Sequence, residues 1–208
     1  MTVTLFAATT NPGKLRDFSV AAAEGGFLIQ SPSKFEDIPA PLENELTFAG
    51  NARLKALYYS RLAPGLILAD DSGLEVDALG GEPGVRSARY AADAGFEPRG
   101  TDGNLSVDER NNLYLLSRMR GVAQRGARYR CALAVARQGA LLLAGEGTVN
   151  GEILAAPRGT GGFGYDPLFW IPQLQFTMAE ISLEQKHALS HRGRAFRALL
   201  PSLKQLTD

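Results

Sequence analysis

Cysteine is nearly absent from this 208-residue chain: Cys131 stands alone, so no disulfide can form within it, and the sequence points to a reducing, cytoplasmic setting. Cys131 lies in the apolar run Cys131-Ala132-Leu133-Ala134-Val135, where a buried, inert thiol is expected. Histidine is scarce too, and His187 and His191 have no cysteine or histidine spacing that suits zinc. There is no Gly-x-Ser-x-Gly nucleophile elbow. Charge of one sign is not in excess, since 22 basic residues balance 22 acidic ones. That excludes a chain built to hold a long nucleic acid, while a small anion held by a few local charges stays open. No run approaches the roughly 18 apolar residues of a membrane span. The opening MTVTLFAATTNPGK lacks a basic start, and its apolar run is too short for a signal peptide. What is present is an ordinary globular balance, 45% hydrophobic and 21% charged, with length for one domain or one domain of two lobes.

Along the chain, residues 2–8 read as a strand. Asn11 then caps a helix with Pro12 at its first position, and Leu15, Phe18 and Ala22 form its apolar row. Gly25-Gly26 ends it, and residues 27–30 make a second strand. Residues 31–46 read as a polar loop, and Phe48, Ala52, Ala56 and Tyr59 predict a helix from Thr47 to Leu62. Leu66–Ala69 is a short apolar strand running into Asp70-Asp71-Ser72-Gly73, and residues 79–103 read as an irregular surface segment. Ser106 and Glu109 form a capping box that opens a helix to about Met119. Residues 128–137, 140–149 and 151–155 predict consecutive strands, with turns at Gly139 and Asn150-Gly151. A Gly-rich loop spans 157–167, and a last helix starts near Ser190, where Pro201 is expected to kink or shorten it. The pattern is α/β: a mixed sheet flanked by helices.

Five groups of residues could carry chemistry. Thr9, Thr10, Asn11, Pro12, Gly13 and Lys14 sit between a strand and a helix. Helix-start N–H groups plus a mobile lysine can cradle phosphate, and the same residues also suit a plain capped helix start. Asp70 and Asp71, followed by Ser72, come directly after an apolar strand, where α/β proteins bind ligands. Adjacent carboxylates there suit Mg²⁺ or the polarisation of a water, and they also suit an acidic turn. Glu43 and Glu45 could complete a metal site or simply be surface charge. Phe163, Gly164, Tyr165 and Asp166 lie in the Gly-rich loop, where aromatics can stack on a base or anchor the loop to the core. Lys186, His191 and Arg192 offer donors for a keto oxygen or phosphate, or form a solvated basic face.

Taken in order, ATTNPGK, LTF, LILADDSGLEVDALGGEPGVRSARYA, GTGGFGYDPLF and SHRGRAF resemble the inosine triphosphate pyrophosphatase family, whose members are also called dITP/XTP diphosphatases. The resemblance runs from about residue 5 to residue 200. It implies an elongated two-lobed α/β fold over residues 1–208 with a cleft between the lobes, and a Mg²⁺-dependent homodimer. It also implies hydrolysis of dITP, ITP and XTP between the α and β phosphates. By the same resemblance Thr9 to Lys14 hold the triphosphate. Asp71 is the catalytic or metal-binding carboxylate, Asp70 stands beside it, Glu43 is a second metal ligand, and Ser72 meets the substrate. Phe163 to Asp166 contact base and sugar, and Lys186, His191 and Arg192 complete the base pocket.

One departure stands out. The family commonly has Glu-Asn-Ala in the second helix, and here the run is Gly50-Asn51-Ala52. Glu43 or Glu45 would have to compensate if that glutamate helps hold metal. A pyrophosphatase for modified pyrimidines and a non-catalytic nucleotide-binding module are the alternatives. Turnover of dITP, XTP, dUTP and dATP separates them.

Overall fold

A computed structural model describes residues 2–32, 35–98 and 104–207 of the chain. The first strand, β1 (Val3–Ala7), leads into α1 (Pro12–Ala23) and β2 (Phe27–Gln30). Next come α2 (Phe48–Leu62), β3 (Leu66–Val76), a 3-10 segment at Gly84–Arg89, the short α3 (Tyr90–Asp93) and α4 (Val107–Arg118). The chain continues through β4 (Gly126–Arg137), β5 (Ala140–Ile153), β6 (Phe169–Ile171), β7 (Phe176–Thr177), α5 (Leu183–Leu189) and α6 (His191–Thr207). Among the described residues the strands form one sheet in the order β2-β1-β3-β4-β5-β6-β7. It is mixed, as expected: β1 runs parallel to β2 and to β3, and β6 runs antiparallel to β5 and to β7.

The chain divides into two compact units. Unit 1 comprises Met1–Ser72, Arg130–Thr148 and His187–Asp208, and unit 2 comprises Gly73–Tyr129 and Val149–Lys186. Each has its own core. In unit 1, Phe18 and Ala22 of α1 and Phe196 and Leu199 of α6 pack with Leu5, Leu68 and Leu133 from the strands. In unit 2, Leu74, Leu115, Met119, Ile153 and Phe169 form the centre. Each such leucine or phenylalanine contributes about 1.5–3 kcal/mol on full burial.

Local chemistry sets the helix starts. Asn11 Oδ1 accepts from the N–H groups of Gly13 and Lys14, and Thr47 Oγ1 accepts from Gly50 N–H. The Ser106–Glu109 capping box forms in both directions. Several expectations need correction. β3 does not stop at Ala69 but carries Asp70, Asp71 and Ser72 inside an 11-residue strand. Residues 140–153 form one strand, with Asn150-Gly151 paired within it rather than turning. The turn at Gly139 forms as expected, with Gln138 and Gly139 both at positive φ (52° and 79°), the geometry of a two-residue hairpin. Pro201 lies inside α6 without ending it. The segment 79–103 holds the 3-10 turns and α3, although residues 99–103 lie outside the described part, as does the side chain of His187. Cys131 is buried as expected, and burial pushes its thiol pKa well up. Among the described residues no helix is long and apolar enough to cross a membrane.

Candidate active site

Because Asp70, Asp71 and Ser72 lie within a strand, their side chains alternate in direction. Asp70 and Ser72 share one face, and the Ser72 hydroxyl donates to Asp70 Oδ2 at 3.2 Å. That face meets α1 and α6. Lys14 Nζ of α1 stands 2.7 Å from Asp70 Oδ2, and Arg192 of α6 donates from NH2 to Ser72 Oγ at 3.1 Å. Arg192 also pairs through NH1 with Asp17 of α1 at 3.2 Å. Burial works against ionising Asp70, but Lys14, Lys55 and Arg192 overcome it and hold its pKa below 3.8.

Asp71 faces α2 instead. Asn51 donates from Nδ2 to Asp71 Oδ2 at 2.9 Å, and the Lys55 ammonium lies 3.7 Å from Asp71 Oδ1. The same ammonium donates to Glu43 Oε2 at 2.6 Å. Burial raises the Asp71 pKa above 3.8, outweighing the opposing effects of Lys55 and the Asn51 hydrogen bond. Lys55 is buried, which lowers its pKa, yet Asp70, Asp71 and Glu43 together raise it above 10.5. Asn51 also clamps the Glu43–Glu45 loop: its Oδ1 accepts from Glu45 N–H at 3.1 Å. The space beside Gly50 is filled by Glu45, whose Cβ would be 2.8 Å from a Cβ at position 50.

A polar cavity of about 450 Å³ is lined by Thr9, Thr10, Lys14, Glu43, Lys55 and Asp70, with Phe35 and Tyr59 at its side. Thus part of the predicted phosphate loop and two of the predicted carboxylates, Glu43 and Asp70, line one cavity in unit 1, and Asp71 adjoins it through Lys55. His191 and Arg192 open α6 in the same unit, with Ser190 Oγ accepting from Gly193 N–H. They reach that place because α6 starts directly on β5: a Cβ on Gly147 would sit 2.2 Å from the His191 carbonyl oxygen.

The remaining predicted residues belong to unit 2. Lys186 donates to Asp166 Oδ2 in a short ion pair and stands over the Phe163 ring, 5.0 Å from its centroid. Asp166 also accepts from Phe163 N–H at 3.0 Å and from the Tyr129 hydroxyl at 3.2 Å. Phe163 is 38% exposed, whereas Tyr165 is buried with its hydroxyl donating to the Ser87 carbonyl at 2.8 Å.

Sequence reading missed Asp17, Asn51, Lys55 and Tyr129. Asn51 and Lys55 carried a signal: they are a polar pair four residues apart, beside the apolar row of α2, and so lie on one face.

Parallel strands, a capped helix and lysine-paired carboxylates beside one polar cavity mark an α/β protein whose charged groups gather in unit 1. The sequence profile of the Ham1 family matches residues 5–202, and the chain belongs to that family. It is 58% identical over 204 residues to a dITP/XTP pyrophosphatase of Acidobacterium capsulatum, covering 98% of this chain and 99% of that protein. It is 46% identical to a dITP/XTP pyrophosphatase of Thermus thermophilus, covering 95% and 90%. Among solved structures, the Staphylococcus aureus Ham1 protein matches with a TM-score of 0.81 at 36% identity, covering 98% of this chain and 99% of that one. A HAM1 protein from Coxiella burnetii matches with a TM-score of 0.82 at 32% identity, covering 98% and 100%. These findings bear out the family and the α/β fold read from the sequence.

Proposed function

We propose that this chain hydrolyses non-standard purine nucleoside triphosphates (dITP, ITP and XTP) to the nucleoside monophosphate and pyrophosphate. In this reading residues 1–208 act as one catalytic domain, with Mg²⁺ as cofactor, as a homodimer in the cytoplasm. The observation that carries the proposal is the single ammonium of Lys55 held by both Glu43 and Asp71, in the protein region whose cavity Lys14 and the Thr9–Thr10 loop also line. Two hard oxygen donors converging on one positive charge fit Mg²⁺, which takes one or two carboxylates and leaves its other positions to water and phosphate oxygens. Glu43 and Asp71 would hold it. When bound, it supplies charge against the polyphosphate and orders its oxygens.

Everything else falls to the chain's own residues. Asp71 accepts the proton of the attacking water, held in place by the Asn51 amide and the Lys55 ammonium. Asp70, tied to Lys14 and Ser72, keeps the Lys14 ammonium at the phosphate loop, where it offsets negative charge on the triphosphate. Asp70 lines the same cavity as Glu43 and is the further carboxylate on which the metal would draw. Thr9 to Gly13 orient the phosphates and Ser72 meets the substrate. Phe163 takes the base by stacking. Gly164, Tyr165 and Asp166 shape that loop, with Tyr165 acting through its backbone, since its side chain is committed to the core. Lys186, His191 and Arg192 supply donors to the base. Inosine and xanthine present a keto acceptor at position 6 where adenine presents an amino donor. A donor left facing a donor costs about 1–3 kcal/mol.

The test is to incubate the purified protein with dITP and Mg²⁺ and separate the products. Deoxyinosine monophosphate with pyrophosphate, little attack on dATP, and loss of turnover with a chelator are expected. Orthophosphate with the diphosphate would mean attack at the γ-phosphate and a wrong mechanism. Light scattering tests the dimer, and a monomeric mass removes it.

A further inference from the structure

One helix grips both polar groups of a single peptide residue in the Phe163 loop. The N–H of Gly164 donates to Asp108 Oδ2 at 2.6 Å, and its carbonyl accepts from Asn112 Nδ2 at 2.9 Å. Asp108 and Asn112 are four residues apart in α4, so they project from the same face. The start of α4 is itself fixed, because the Ser106–Glu109 capping box closes there in both directions. Gly164 has φ +62°, and a Cβ added to it would meet nothing within 4 Å. The glycine is therefore needed for its left-handed backbone, not for lack of room. A residue in that conformation swings the chain direction between Phe163 and Tyr165, and the two α4 side chains hold the swing in place. All of these residues belong to unit 2.

A second observation separates this grip from ordinary packing. Asn112 Oδ1 is buried, and among the described residues it accepts no hydrogen bond. A buried amide with an unmet acceptor is worse for stability than an apolar side chain of the same size. The side chain's one hydrogen bond among the described residues is the one it gives to the Gly164 carbonyl. Phe163, one residue away, remains 38% exposed at the end of the arrangement.

We propose that Asp108 and Asn112 are positioning residues that present the Phe163 ring to the purine base, so that the ring is set before substrate arrives. The proposal rests on the stacking role given to Phe163 above. A ring already in place spares the ordering cost that a mobile loop would pay on binding. Losing the grip therefore weakens recognition of the base and leaves the phosphate chemistry intact.

The test uses Asn112→Leu, Asp108→Asn and Asp108→Ala in the full chain, with dITP kinetics, the inhibition constant of pyrophosphate (which carries no base) and thermal melts. Asn112→Leu is expected to stay folded while its KM for dITP rises about tenfold and kcat stays within about twofold. Its pyrophosphate inhibition constant should not move. Asp108→Asn keeps an acceptor oxygen for Gly164 N–H and should stay near the wild-type KM, while Asp108→Ala rises with Asn112→Leu. A lower melting temperature in Asn112→Leu with KM unmoved would make the asparagine structural and overturn the proposal. Equal rises in KM and in the pyrophosphate constant would place the damage at the phosphates and overturn it too. Wild-type protein inert toward dITP would remove the underlying functional reading, whereas active wild-type enzyme with unmoved variants would remove the grip alone.

Discussion

Replacing Asp71 with asparagine keeps the shape of the side chain and deletes one charge, and the structure sends rate and stability in opposite directions. A positioned general base is worth about 10²- to 10⁴-fold, or roughly 3–5 kcal/mol of barrier. Asp71→Asn should therefore lower dITP turnover by at least two orders of magnitude, with nucleotide still bound through Lys14 and Phe163. Stability follows from the raised pKa of Asp71, whose first cause is burial. A carboxyl with a higher pKa in the folded chain than in the unfolded one binds more protons when folded. Stability therefore falls as pH climbs from 3.8 to that higher value, and the penalty persists at neutral pH. Asparagine carries no such penalty, and its Oδ1 can still accept from Asn51. The variant should melt at or above the wild-type temperature near neutral pH, and the gap should narrow as pH approaches 3.8. Steady-state turnover and calorimetric melts across that pH range make the comparison. Turnover within about tenfold of wild type would remove Asp71 as the base. A melting temperature lower by more than about 4 °C, some 1–2 kcal/mol in a chain of this size, would show that Lys55 needs Asp71 more than burial penalises it.

Three other perturbations follow from the same geometry. Phe163→Ala should raise KM by the value of a stacked base, about 1–3 kcal/mol; an unchanged KM would assign the ring to packing. Lys55→Met should destabilise the fold by about 1–3 kcal/mol, less than for a fully buried pair because Glu43's side chain is 37% exposed. Because the Lys55 pKa is raised above 10.5, its contribution is complete below that pH and fades as pH rises through the folded value, so urea melts of wild type and variant should converge in strong alkali. Gly50→Ala would gain about 1 kcal/mol from helix propensity alone. With Glu45 Cβ only 2.8 Å from the new methyl, it should instead be neutral or destabilising, and a clear rise in melting temperature would show that the loop yields freely.

The sequence showed the parts that depend on neighbours along the chain. The caps at Asn11 and Ser106 were legible because a side chain bonds backbone two or three residues on. The Thr9–Lys14 turn and the Asp70-Asp71 pair stood out because strand-then-polar runs are local. What stayed hidden depends on distant pairing. β6 and β7, of three and two residues, are too short to show a period. The continuation of β3 through two aspartates defies hydrophobic patterning and is tolerated because Lys14, Lys55 and Arg192 supply compensating charge. Asp17, next to the core residue Phe18, gave no hint that its partner would be Arg192, 175 residues away. Tyr129 sits in an apolar strand, and only the folded chain shows its hydroxyl reaching Asp166.

The alternation along β3 also bears on chain length. Asp70 answers to α1 and Asp71 to α2 only because each occupies its own parity in the strand. Inserting one residue between Leu66 and Ala69 would keep every charge and every side chain already in the protein. It would nevertheless turn the two carboxylates to each other's partners, since a slip of one residue flips each side chain to the opposite face. Counting, as much as chemistry, is what gives the two carboxylates different surroundings in this strand.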